Sequence, residues 1–105
     1  MKAAKVLFEL KDEVKKDLAD IEEVKKHLGN MVALYRDVPG LKQKYFIMNP
    51  DTLTQGAFLI WETQEDFDRY LKSDLWKTAV LDITEGTPQI ETYGLCARLS
   101  DGVLL

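Results

Sequence analysis

The stretch GAFLIWETQEDFDRYLKSDLW, residues 56–76, carries the clearest structural signal in the chain, because it joins a short apolar strand to a capped helix. Residues 56–61 form an unbroken apolar run, which is typical of a strand covered on both faces. Thr63 can accept hydrogen bonds from the first free helix amides, and Glu65 and Asp66 add negative charge there. A chain of 105 residues can cover one face of its sheet with its own helices. We therefore expect the sheet of a second subunit to cover the other face.

Length and composition predict one domain over residues 1–105, whose tail, residues 100–105, is loose or lies at a dimer interface. The 46% hydrophobic and 30% charged residues are an ordinary balance for a globular protein in water. The net charge of −4 argues against nucleic-acid binding, and no apolar run approaches the ~18 residues that cross a membrane. The start of the chain has too short an apolar segment for a signal peptide, so we expect a cytoplasmic location.

Periodicity along the chain predicts four strands and two main helices in the order β-α-β-β-α-β. The strands are predicted over residues 5–11, 41–49, 56–61 and 88–99. Asp20 is the candidate N-cap of the first helix, and the second runs from Thr63 with a restart near Ser73. Residues 12–19 are either a connection or an early helical turn. This order is that of the ferredoxin-like α+β fold, a four-stranded antiparallel sheet under two helices.

A single cysteine and a single histidine limit the chemistry of the chain. Cys96 falls in the predicted fourth strand and is interpreted as a small buried hydrophobe, because a thiol nucleophile needs a positioned base. His27 lies in another element and is interpreted as a surface residue. The sequence has neither the clustered ligands of a zinc or iron site nor a glycine-rich nucleotide loop. We therefore expect no metal and no bound cofactor.

The helix followed by PGLKQKYFIMNPDTLTQGAFLIWETQEDFDRYL and a second helix resembles the YdhR-type monooxygenases of the dimeric α+β barrel superfamily. That superfamily also contains the antibiotic-biosynthesis monooxygenases. The resemblance covers about residues 5–100, and its most specific parts are Pro39-Gly40-Leu41, Lys44 and the hairpin into Gly56-Ala57-Phe58-Leu59. The stretch DFDRYL, residues 66–71, then matches the pattern of the family's second helix. It implies a homodimer whose two sheets pack face to face into a barrel. Members with known activity oxidise polycyclic phenols to quinones without metal or flavin, degrade haem or isomerise lactones.

A cofactor-free oxygenase needs a cation or hydrogen-bond donor for a substrate oxyanion, and aromatic walls for the substrate rings. Lys44, in the second strand, and Arg98, near the end of the fourth, are the predicted catalytic residues. The alternative for both is a strand charge that is partly exposed or paired with Glu9 or Glu91. Glu9 itself is either a base or, as we prefer, a solvated edge carboxylate. The residues predicted to line the substrate pocket are Phe8, Phe46, Trp61 and Trp76; for the two tryptophans, core or interface packing is the alternative.

These residues and the resemblance predict a homodimeric, cofactor-independent monooxygenase that oxidises an aromatic or polycyclic small molecule with O₂. One alternative is a small-molecule-binding or stress-associated barrel without turnover, because one fold hosts many activities. The other is haem degradation, for which relatives use a histidine on the second helix. Val80 stands roughly at that position here, which argues against haem cleavage.

Overall fold

The computed structural model describes residues 1–17 and 20–104, without the side chain of Ile21. The helices are α1 Asp12–Asp17, α2 Ile21–Tyr35, α3 Gln64–Leu71 and α4 Asp74–Ala79, and a short 3-10 helix spans Leu81–Ile83. The strands are β1 Lys2–Leu10, β2 Leu41–Met48, β3 Gln55–Trp61, β4 Thr84–Gly94, β5 Leu99–Ser100 and β6 Val103–Leu104. None of the described helices is long and apolar enough to pass through a membrane.

Four strands form one antiparallel sheet in the order β2-β3-β1-β4, so β2 and β4 are its edges. One face of this sheet packs against the helices. Ala4, Val6 and Leu59 on that face share a buried core with Phe67 of α3 and Trp76 of α4. The predicted ferredoxin-like α+β arrangement is therefore confirmed.

The helices begin where the sequence predicts them, because polar side chains cap their free amides. Asp20 accepts a hydrogen bond from the amide of Glu22 at 2.9 Å. The hydroxyl of Thr63 accepts a hydrogen bond from the amide of Asp66 at 3.2 Å. The hydroxyl of Ser73 accepts one from the amide of Trp76, also at 3.2 Å. Each cap of this kind stabilises a helix by about 1 kcal/mol. The ambiguous segment after β1 is also helical over Asp12–Asp17, while residues 18 and 19 lie outside the described part.

The fourth strand differs from its prediction at both ends. β4 begins at Thr84, and Pro88 is tolerated inside it because β4 is an edge strand. It ends at Gly94, which pairs with Lys2. Lys2 is the first residue of β1, so β4 has no further strand residue to pair with. Cys96 lies beyond that end and is exposed, and the prediction of a buried strand cysteine is wrong. Beyond it, β5 and β6 form a short separate hairpin.

Two glycines occupy positions that no larger residue fits. Gly40 has a φ of +79°, and an added Cβ would lie 2.2 Å from the carboxyl carbon of Asp66. Gly56 faces β1 so closely that an added Cβ would lie 2.1 Å from the carbonyl oxygen of Val6. The first lets the chain turn into β2 beneath the start of α3, and the second lets β3 approach β1.

The sheet is buried on one face and open on the other. Along β3, Ala57, Leu59 and Trp61 are buried, whereas Phe58 between them keeps 44% of its surface exposed. Tyr45 lies directly opposite Phe58 on β2 and is also exposed. The apolar run of β3 is thus covered by the chain's own helices on one side only.

Candidate functional site

A cavity of about 120 Å³ lies between the helix-covered face of the sheet and helices α2, α3 and α4. Four of the predicted site residues line it, namely Phe8, Lys44, Phe46 and Trp76. Phe8 and Phe46 reach it from the sheet, and Trp76 reaches it from α4. The alternation of β2 places Lys44 and Phe46 on the same face, opposite Tyr45.

The other two predicted site residues lie elsewhere. Trp61 is fully buried but is not among the residues that line the cavity; its ring packs 5.6 Å from Phe67 and 5.3 Å from Tyr70, centroid to centroid. Arg98 borders a different depression, together with Tyr45 and Cys96. Its prediction assumed that the fourth strand continues to residue 99, and the strand ends before Arg98.

Lys44 carries an amine into largely apolar surroundings. Its Nζ lies 3.1 Å from the centroid of the Tyr35 ring and 4.7 Å from that of Phe46. None of the described residues that line the cavity is an aspartate or a glutamate. Burial therefore acts without a compensating carboxylate and lowers the pKa of Lys44 from its ordinary value of 10.5 to about 7. Near neutral pH this amine exists both as a base and as a cation.

Lys42 lies two positions before Lys44 on β2, but its amine is exposed and paired with a carboxylate. Its Nζ lies 2.7 Å from the carboxylate of Glu62, and both side chains are about half exposed. The hydrogen bond and charge of Glu62 raise the pKa of Lys42 above its usual value. Lys42 thus remains an ordinary surface cation.

Two buried tyrosines were not predicted as site residues. The hydroxyl oxygens of Tyr35 and Tyr70 lie 2.5 Å apart, and both residues line the cavity. Burial raises the pKa of both phenols, so they stay protonated and act as hydrogen-bond donors and acceptors. A signal existed in the sequence, because Tyr35 lies on the apolar stripe of α2 and a buried tyrosine hydroxyl needs a partner.

Metal ligands are scarce around the cavity. The described residues contain no group of three or more histidine, cysteine, aspartate or glutamate side chains that could hold a metal ion. His27 is exposed on α2, as expected, yet it also borders the cavity. Val80, which the resemblance sets roughly at the position of the histidine in haem-degrading members of the superfamily, is buried and lines the cavity. Glu9 is exposed, as expected, and accepts a 2.8 Å hydrogen bond from the hydroxyl of Thr54. It lies near the end of β1, however, which is a central strand and not an edge.

Compared by sequence, the chain matches no protein-family model and no curated protein. Solved structures nevertheless share its fold. Rv0793 from Mycobacterium tuberculosis superposes with a TM-score of 0.67 at 13% identity, over 94% of this chain and 98% of that chain. A variant of SnoaB, a cofactor-independent oxygenase from Streptomyces nogalater, does so with a TM-score of 0.62 at 14% identity, over 95% and 97%.

A third structure is a monooxygenase from Streptomyces coelicolor in complex with the ligand nanaomycin D. It superposes with a TM-score of 0.62 at 14% identity, over 94% of this chain and 90% of that chain. The chain therefore has the fold of the antibiotic-biosynthesis monooxygenases. At such identities the likeness concerns the fold alone, and the YdhR-type branch stays a prediction.

Proposed function

We propose that the protein is a cofactor-independent monooxygenase that oxidises a small phenol with O₂ in the cavity between the sheet and the helices. The observation that carries this proposal is the amine of Lys44, which meets aromatic rings inside that cavity and no carboxylate among the described residues that line it. The shared fold with a cofactor-independent oxygenase supports it. About 120 Å³ is close to the ~150 Å³ of an apolar cavity that holds benzene, so a one-ring substrate fits best.

Lys44 has the properties of the base that such a reaction needs. A phenol must lose its proton to become electron-rich enough to react with O₂. Because the pKa of Lys44 is about 7, its neutral amine can take that proton near neutral pH. The resulting ammonium then pairs with the phenolate in surroundings of low dielectric, where the attraction is strong. The protonated Tyr35–Tyr70 pair adds a hydroxyl that can donate to the same oxygen.

The electrons for this reaction come from the substrate itself. Conversion of a phenol to a quinone inserts one oxygen atom of O₂ at a ring carbon, and the second oxygen atom leaves as water with two substrate hydrogens. Phe8, Phe46 and Trp76 supply the walls that hold the ring and exclude water. Arg98 has no part in this proposal, since it borders another depression.

The test is oxygen uptake with a panel of one-ring and polycyclic phenols, in air and under anaerobic conditions, with ¹⁸O₂ tracing into the product. The Lys44→Met variant should lose activity by about 100-fold or more, as for other general bases. The matched control is Lys42→Met, which removes a lysine from the same strand and should keep full activity. Equal product formation without oxygen, or full activity in Lys44→Met, would refute the proposal.

We further propose that a second copy of the chain covers the open face of the sheet. Phe58 and Tyr45 lie side by side on that face and are exposed, as is Tyr93 on β4. In the C-terminal hairpin, Leu99 and Leu104 face each other across β5 and β6 and are also exposed. Adjacent exposed aromatic side chains such as Phe58 and Tyr45 are typical of an interface between subunits.

Analytical ultracentrifugation at micromolar concentration measures the mass of the particle and therefore its oligomeric state. A homodimer has twice the 12.0 kDa mass of one chain. The Phe58→Asp variant should shift the population towards the monomer, whereas a charge introduced at the exposed Gly29 should not. A stable 12.0 kDa particle in the unaltered protein would rule out the dimer.

A binding protein without turnover is the competing function, and the apolar lining of the cavity favours it equally. Native mass spectrometry separates the two, because a small molecule that is retained unchanged in air indicates binding alone. Haem degradation predicts a Soret band when haem is added. We expect none, since Val80 offers no ligand to the iron.

A further inference from the structure

The amine of Lys44 contacts aromatic rings, whereas several other lysine amines contact carboxylates. Lys25, Lys42 and Lys77 each have a carboxylate oxygen within 4.0 Å among the described residues. Lys44 instead meets the rings of Tyr35 and Phe46. Burial in an apolar cavity favours the neutral, nucleophilic form of an amine, and no carboxylate among the described lining residues holds Lys44 as an ammonium ion.

We propose that Lys44 condenses with the carbonyl group of a small aromatic aldehyde in this cavity to form an imine. This activity goes beyond the oxygenase proposal, since it consumes no oxygen. The lone pair of Nζ adds to the carbonyl carbon, and a carbon–nitrogen bond forms as the carbonyl π bond opens. The carbonyl oxygen then leaves as water with the two protons that Nζ gives up. The step needs no oxidant and no reductant, and its products are one imine and one water molecule.

The cavity selects an aromatic aldehyde by its size and lining. Phe8, Phe46 and Trp76 form aromatic walls, and offset or edge-on contacts with a further ring add to the area that it buries. The volume of about 120 Å³ admits one ring with a short substituent. An aldehyde carbon attached directly to that ring stays near Lys44, whose amine lies over the wall residues Tyr35 and Phe46.

The protonation states of the neighbouring groups support the nucleophile. Besides Lys44, the titratable residues that line the cavity are His27 and Tyr35 from α2 and Tyr70 from α3. Burial keeps both phenols protonated and therefore uncharged, so neither stabilises an ammonium ion as a phenolate would. Burial also lowers the pKa of Lys44 to about 7, while a lysine with the usual value is neutral in roughly one molecule per thousand near pH 7.5.

The experiment is reductive trapping of the whole protein with benzaldehyde and cyanoborohydride near pH 7.5, followed by intact-mass and peptide analysis. Each trapped imine raises the mass by that of benzaldehyde less one oxygen atom. We expect Lys44 to be labelled about 10-fold or more faster than any other lysine, as its larger neutral fraction predicts. Its labelling rate should reach half of its maximum near pH 7, the pKa of the buried amine.

Matched variants make the result decisive. Lys44→Met should lose the fast label, and Lys42→Met should keep it. Circular dichroism checks that both variants fold. If Lys44→Met does not fold, the pH dependence of labelling in the unaltered protein still tests the proposal. Labelling that is spread evenly over the lysines, or a fast label that survives in folded Lys44→Met, would overturn the inference. Trapping is run without oxygen, so a failure to trap the imine does not refute the oxygenase proposal. In the same way, a failure to take up oxygen does not refute imine formation.

Discussion

Replacing Lys44 by methionine should remove most of a pH dependence of stability that the buried amine creates. The pKa of Lys44 is about 7 in the folded protein and near 10.5 in the unfolded chain. Between those two values the unfolded state binds more protons, so the free energy of unfolding rises with pH. Above pH 10.5 the amine is neutral in both states, so burying it does not lower the free energy of unfolding. As the pH falls to about 7, the destabilisation by the buried amine rises almost to its full size.

The magnitude follows from the size of the shift. One pKa unit corresponds to about 1.4 kcal/mol, so two pH units inside the window, from about pH 7.5 to about pH 9.5, give at most ~2.7 kcal/mol. Lys44 retains partial access to solvent, which reduces this to about 1–2 kcal/mol. Methionine fills a similar apolar volume without a charge, so Lys44→Met should be more stable than the unaltered protein near pH 7.5, and the difference should shrink by this amount near pH 9.5.

Urea unfolding at several pH values measures the difference between the two proteins and cancels the groups that titrate in both. The control is Lys42→Met. The pKa of Lys42 is raised rather than lowered, so its loss should leave the rise of stability over this window in place. A difference between the unaltered protein and Lys44→Met that stays constant with pH, or that grows towards alkaline pH, would show that the amine is not buried as described.

Further substitutions test the tyrosine pair, the close approach of β3 to β1 and the cap of α4 by urea unfolding. Tyr70→Phe should cost about 1–3 kcal/mol because it leaves the buried hydroxyl of Tyr35 without its partner, and the double phenylalanine variant should cost less than the two single changes together. Gly56→Ala should cost more than ~2 kcal/mol because its Cβ meets the backbone of β1, whereas Gly29→Ala, with nothing within 4 Å, should gain about 0.5–1 kcal/mol. Equal effects at these two glycines would contradict the pairing of β3 with β1. Ser73→Ala should cost about 1 kcal/mol through the lost cap of α4, and no loss would show that α4 begins elsewhere.

The starts of the helices could be predicted because their signals are local. Thr63 and Ser73 each cap a helix whose first amides lie within three residues, so the chain segment itself carries the information. The face on which Lys44 lies could not be predicted in the same way. Both faces of β2 carry aromatic residues, Tyr45 on one and Phe46 on the other, and alternation alone does not say which side the helices cover.

The end of the fourth strand required information from a distant part of the chain. β4 stops at Gly94 because its partner β1 begins at Lys2, and nothing in the residues after Gly94 reports that limit. The error moved Cys96 and Arg98 onto a strand that they do not occupy. The hydroxyl pair of Tyr35 and Tyr70 is equally non-local, since it joins residues of α2 and α3 that only the folded sheet brings together.

The strand that carries the cavity amine is anchored to the rest of the sheet along one side only. β2 is an edge, and its main-chain ladder runs to β3 alone, whereas β1 and β3 are each held between two neighbours. Loosening β2 therefore breaks the bonds of a single ladder and leaves the central strands paired. Displacing β2 thus breaks fewer ladder bonds than displacing β1 or β3, and it would widen the cavity at the wall that bears Lys44.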